Sequence, residues 1–121
     1  MLAGVQVKFD AAHHLPNYEG KCRNLHGHTW KVDVVISGLT NQNGFVIDFT
    51  ILKRELAILI DKHFDHKNLN ETFANPTCEN IASFIFHYLY SKFPGLAIVE
   101  VKEGDGGYVV YSNADYIRDG E

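Results

Sequence analysis

The segment KCRNLHGH, residues 21–28, sets a thiol four positions ahead of two histidines separated by one glycine. On a β-strand, side chains at i and i+2 share a face about 6–7 Å apart, so His26 and His28 can turn two imidazoles toward one ion. They carry the parity of Trp30, Val32, Val34 and Ile36, the apolar and therefore inward side. His13 carries the inward parity of an earlier alternating run, with Val5, Val7, Phe9 and Ala11. If the two runs pair across the intervening loop, the three imidazoles collect at one end of a sheet. Any one of these histidines alone would read as a polar side chain at a sheet rim. Three inward-facing imidazoles need a reason, because burying one without a partner costs free energy. A tetrahedral zinc ion with three histidine ligands removes that cost and leaves a fourth position open, the pattern of a catalytic site. Imidazole also suits iron(II) and other divalent metals.

Cys22 lies in the loop that must cross the strand ends. Lys21, Arg23 and a bound metal would all favour its thiolate. It could be a fourth ligand, which would close the site as a structural one, or a base held beside the metal; spacing leaves both readings open. Asp65-His66 supplies a carboxylate next to an imidazole, the usual means of orienting a proton-transfer histidine. Adjacent residues do not easily couple through their side chains alone, however, and the pair reads equally as a polar loop. Glu103 has the parity of Val99 and Val101 and should face inward at a strand end. A buried carboxylate wants donors, and the paired N–H edge of a guanidine-like heterocycle would supply them, as would a salt bridge. Cys78, His14, His63 and His87 read as packing or surface residues.

These side chains need positioning elements. Alternation predicts strands over 3–13 and 26–37, and two more over 97–103 and 108–113 around the hairpin signal Gly104-Asp105-Gly106-Gly107. Asp48 or Thr50 can cap a helix to about His63, with Leu52, Leu56, Leu59 and Ile60 as its buried stripe. Thr77, after Pro76, can cap a second helix to about Lys92, with the stripe Ile81, Phe84, Ile85, Tyr88 and Leu89. The order ββααββ predicts an α+β domain, with two helices covering one face of an antiparallel four-stranded sheet.

The 121 residues suit one domain, taken as 1–121. A formal net charge of −4 argues against a general nucleic-acid surface, which needs a basic footprint. A signal peptide and an apolar run near the ~20 residues of a membrane span are both lacking, so a cytoplasmic protein without a membrane partner is expected. In that compartment Cys22 and Cys78 should be free thiols.

The segments FDAAHHLP, CRNLHGH, GFVIDF, FDHKNLN, NPTCEN and VEVKE occur in that order between Phe9 and Glu103. Together they resemble the 6-pyruvoyltetrahydropterin synthase superfamily. The C-x-x-x-H-G-H spacing is similar to its bacterial and archaeal 6-carboxy-5,6,7,8-tetrahydropterin synthase branch. The resemblance implies the tunnelling fold, in which subunits form barrels, usually hexamers built from two trimers, with sites between subunits. It implies one zinc per subunit on His13, His26 and His28, with Cys22 as catalytic thiolate and Asp65 and His66 completing the proton-transfer set. Glu103 would anchor the pterin ring through its 2-amino and N3 groups, and Thr77 and Glu79 would line the pterin pocket. The implied reaction takes 7,8-dihydroneopterin triphosphate to 6-carboxy-5,6,7,8-tetrahydropterin, releasing acetaldehyde and triphosphate, within queuosine and deazapurine biosynthesis. Two points fall outside the resemblance. Gly104 stands where many relatives have threonine, and the triphosphate needs cations, for which Lys8, Lys21 and Arg23 are candidates by proximity. The competing readings are a pyruvoyl-forming or related pterin lyase, a non-catalytic protein with a closed structural zinc site, and a zinc hydrolase.

Overall fold

A computed structural model describes residues 1–120 of the chain. β1 (Leu2–His13) pairs antiparallel with β2 (His26–Ser37), which pairs antiparallel with β4 (Leu96–Glu103), itself paired with β5 (Gly107–Ser112). The expected four strands are therefore present and antiparallel. A fifth strand changes the class of the sheet from antiparallel to mixed. β3 (Lys67–Asn68) runs parallel to β1 at Ala11 and Ala12, giving the order β3-β1-β2-β4-β5. The cause is local: the loop after the first helix folds back on the β1 edge, and His66 N–H donates to the Asp10 carbonyl at 2.7 Å.

α1 (Phe49–His63) starts at Asp48, whose carboxylate accepts from Thr50 N–H at 2.9 Å, so Asp48 rather than Thr50 is the cap. α2 (Cys78–Tyr90) starts at Thr77, whose hydroxyl accepts from Asn80 N–H at 3.1 Å. Both helices lay their apolar stripes on one face of the sheet, as the alternation requires. Trp30, Val32, Val34, Leu52, Leu56, Phe64, Ile81, Ile85 and Val99 are all fully buried there. Each such side chain contributes about 1.5–3 kcal/mol of transfer free energy.

A third helix, α3 (Asn113–Asp119), lies beyond the four strands and two helices expected from the sequence, and it takes residue 113 from the last strand. Its capping box is nonetheless written in Ser112-Asn-Ala-Asp115: the Ser112 hydroxyl and backbone N–H both reach Asp115 Oδ2. α3 places Tyr116 against Phe86, His87 and Tyr90. Among the described residues, no helix is long and apolar enough to cross a membrane.

Candidate metal centre and adjoining cavities

The β1–β2 register decides the site. His13 lies directly opposite His26, and Ala11 opposite His28, so all three imidazoles meet at the open end of the pair. Their ring centroids are 4.7 Å (His13–His26), 5.3 Å (His13–His28) and 4.7 Å (His26–His28) apart. Trp30 forms the floor, edge-on to His13 at 4.9 Å, and donates its indole N–H to the Ala11 carbonyl at 3.2 Å.

Two of the three rings are held from behind. His13 Nδ1 lies 2.8 Å from the Pro76 carbonyl, and His26 Nδ1 lies 2.7 Å from the Asn24 carbonyl. A carbonyl only accepts, so both Nδ1 atoms carry the proton and both Nε2 atoms present lone pairs. The Nε2 atoms of His13, His26 and His28 are all buried and without a hydrogen-bond partner. Burial pushes the His13 imidazole below its usual pKa, against the upward pull of Pro76 and Glu103. A neutral imidazole is the form that ligates metal.

Glu103 faces inward as expected, but its partners are the imidazoles. Its Oε1 is 3.0 Å from His28 Nε2 and 3.9 Å from His13 Nε2. The short contact to His28 lacks hydrogen-bond geometry. Two electron-rich atoms that share no proton at that distance are placed like two ligands of one cation. Four ligand atoms, one each from His13, His26, His28 and Glu103, lie within 4.8 Å of one another. Tetrahedral zinc with bonds of ~2.0–2.1 Å needs ligand atoms about 3.3–3.4 Å apart, so small side-chain adjustments suffice. The residues fit a divalent metal of the zinc type.

Of the two readings open for Cys22, the ligand one gains no support: the group whose ligand atoms converge comprises His13, His26, His28 and Glu103, without Cys22. Cys22 instead lines an adjoining cavity of about 270 Å³ with Lys21, His26 and His28. It sits in a short 3-10 turn, Lys21–Arg23, as a half-buried free thiol. Lys21 is therefore the best placed of the three candidate cations. Lys8 belongs to the exposed face of β1, directly opposite Lys31, and turns away from the centre.

On the other side of Glu103 lies a cavity of about 370 Å³, bordered by Leu15, Thr77, Cys78, Glu79, Glu103 and Val109. Thr77 and Glu79 thus border the same cavity as Glu103. Cys78 is buried as expected, but it does more than pack: its thiol donates to Glu103 Oε2 at 3.8 Å. Burial and the neighbouring Glu103 carboxylate push this thiol up to about 12. Gly104 follows with φ 68, a left-handed turn conformation that a threonine would adopt only with strain.

Asp65 and His66 do couple through their side chains, contrary to the expectation for adjacent residues: His66 Nδ1 lies 3.0 Å from Asp65 Oδ1. The left-handed backbone of His66, φ 58, folds the ring back on its neighbour. The Asp10 backbone N–H and then His66 hold the Asp65 carboxyl below its usual range, opposed by partial burial. The pair does not border the Cys22 cavity. His66 borders a separate depression of about 580 Å³ with Asp10, Ala12, Thr29 and His28, and is 78% exposed. His28 is the residue the two cavities share.

Sequence reasoning missed the clamp on β1. The Asn70 side chain accepts from His14 N–H at 2.8 Å and donates to the His14 carbonyl at 3.0 Å. This fixes the strand end beside His13.

The family model for 6-pyruvoyl tetrahydropterin synthase matches residues 4–114. The chain belongs to that family. It is 42% identical over 106 residues to the 6-carboxy-5,6,7,8-tetrahydropterin synthase of Synechocystis sp., covering 81% of this chain and 82% of that protein. It is 40% identical over 90 residues to the dihydroneopterin monophosphate aldolase of Pyrococcus furiosus, covering 74% of this chain and 75% of that protein. Among solved structures, the 6-pyruvoyl tetrahydropterin synthase of Caenorhabditis elegans superposes with a TM-score of 0.84 at 27% identity, over 93% of this chain and 94% of that one.

Proposed function

We propose that this chain is a zinc-dependent lyase that converts 7,8-dihydroneopterin triphosphate and one water to 6-carboxy-5,6,7,8-tetrahydropterin, acetaldehyde and triphosphate. The observation that carries the reading is the trio of buried, partnerless Nε2 atoms with a thiol cavity on one side and a carboxylate-walled cavity on the other. The relative from Synechocystis sp. supports the carboxy-forming branch.

Each residue then has a task. Glu103 accepts the paired N–H groups of the pterin 2-amino and N3 positions, and Thr77 and Glu79 complete the wall of that cavity. Zinc held by His13, His26 and His28 would bind the side-chain hydroxyls of the substrate and make them more acidic. Cys22, as the thiolate, takes the proton from the side-chain carbon next to the ring. Lys21, beside it, favours that ionised form and answers phosphoryl charge at the mouth of the cavity. His66, oriented by Asp65, relays protons as triphosphate departs and the carbon–carbon bond breaks.

The exposed Asp65–His66 couple belongs to a site shared between subunits in this reading. Support comes from the sheet: β3 covers β1 only at Ala11 and Ala12, and β5 has no outer partner among the described residues. Open edges want pairing. Closure of subunits into a trimeric barrel, with two trimers making a hexamer, would satisfy both edges and bring a neighbour's couple to each Cys22. The cytoplasm and deazapurine synthesis are the matching compartment and pathway.

The test is incubation of zinc-loaded protein with 7,8-dihydroneopterin triphosphate and identification of products by mass. Acetaldehyde with 6-carboxytetrahydropterin is expected. A 6-pyruvoyl product without acetaldehyde would move the chain to the pyruvoyl-forming branch. No consumption, with zinc bound and Cys22 reduced, would remove this substrate altogether.

A further inference from the structure

Glu103 is the partition between the imidazole cluster and the 370 Å³ cavity. Its Oε1 faces His28 and His13, at 3.0 and 3.9 Å, while its side chain also borders the cavity with Thr77 and Glu79. Among the described residues, no lysine or arginine forms an ion pair with it. The only other group on its oxygens among the described residues is the Cys78 thiol at 3.8 Å, a weak donor. The side chain is 27% exposed, so its charge is answered by water in the empty cavity, by a cation at the histidines, or by N–H donors that displace that water. Oε1 faces the imidazoles and Oε2 faces Cys78 on the cavity side. A paired N–H edge engages both oxygens of a carboxylate, so Oε1 cannot keep its place at the histidines while such an edge is bound.

We propose that Glu103 is an exchangeable metal ligand: it closes the fourth position of the metal while the cavity is empty, and turns to the N–H edge of a pterin when the cavity fills. Ring binding then opens the metal to the substrate side chain. The protein thereby shields its metal from stray ligands until a pterin has docked. This inference rests on the pterin and metal reading above. It adds an order of events and a coupling that reading does not require. Coupling between binding sites is reciprocal: the ring must weaken the metal by the factor by which the metal weakens the ring.

The probe is pterin itself, which lacks the side-chain hydroxyls that could ligate the metal and mask the effect. Zinc affinity of the full chain is measured by competition with a fluorescent chelator, with and without saturating pterin. The expected result is about tenfold weaker zinc binding with pterin present, inside the ~5- to 150-fold range usual for coupled sites. Pterin should bind more weakly to the zinc form by the same factor. In a second measurement, cobalt(II) replaces zinc and its visible bands report the ligand set. Pterin should change the wild-type spectrum, and Glu103→Gln without pterin should already show that changed spectrum.

Unchanged or tighter zinc binding with pterin bound would overturn the exchange, as would a cobalt spectrum indifferent to Glu103→Gln. If turnover of 7,8-dihydroneopterin triphosphate proceeds while coupling is absent, only this inference falls. If pterin does not bind at all, the functional reading falls with it.

Discussion

Removing the metal should destabilise the fold by an amount the site itself sets. Without a cation, the Nε2 atoms of His13, His26 and His28 are buried with no hydrogen-bond partner. An unsatisfied buried acceptor costs about 1–3 kcal/mol, so three cost roughly 3–9 kcal/mol. A domain of this size is stable by only about 5–15 kcal/mol, so even the low end is a large share. At roughly 3–6 °C per kcal/mol for a chain of this length, chelation should lower Tm by about 10 °C or more. The assay is a thermal melt of metal-loaded, chelator-stripped and zinc-restored protein, with metal content measured at each stage. A His26→Ala, His28→Ala double variant serves as control, since its melt should ignore zinc. If metal falls from one per chain to none while Tm moves less than ~2 °C, the imidazoles are satisfied in some other way and the argument from orphaned lone pairs is wrong.

Other perturbations separate the roles of neighbouring residues. Cys22→Ala should keep zinc bound and Tm nearly unchanged while turnover drops by ~10²-fold or more; loss of zinc with the thiol would return Cys22 to the ligand set. Thr77→Val removes the cap on Asn80 N–H and loosens the turn that presents the Pro76 carbonyl to His13. Urea unfolding should show a loss of about 1 kcal/mol, and chelator competition about tenfold weaker zinc binding. Asp65 has its carboxyl held low by the Asp10 N–H and by His66. Its ionised form stabilises the fold above the ordinary carboxyl pKa near ~4, and that contribution is lost as pH falls through the lower folded value. Asp65→Asn should thus cost about 1 kcal/mol at neutral pH after allowance for its exposure, and the gap from wild type should close in acid. A gap that persists at the lowest pH at which both proteins fold would place the stabilisation elsewhere.

Much of this molecule follows from period and parity. The inward histidines share the parity of Trp30 and Val32 because a strand with one buried face cannot slip by a residue without exposing its core. Asp48 and Thr77 cap their helices because their side-chain oxygens reach N–H groups that have no partner inside the helix. The convergence of the three histidines was legible for the same reason. What lay beyond the sequence was the meeting of segments far apart in the chain. β3 is two residues long and exists only because the loop after α1 lies against β1, so no period announces it. Asp65 and His66 couple through a left-handed backbone that the packed loop imposes. The capping box of α3 was readable in Ser112 and Asp115, but such a short helix is held by Tyr116 on Phe86 and Tyr90, contacts only the folded chain provides. Glu103 is the sharpest case. Its inward parity was fixed by the strand, but whether it faces a cavity or a metal depended on how β4 lies against β2. That register puts Glu103 opposite Trp30, within reach of His28, so tertiary packing gives one carboxylate both neighbours.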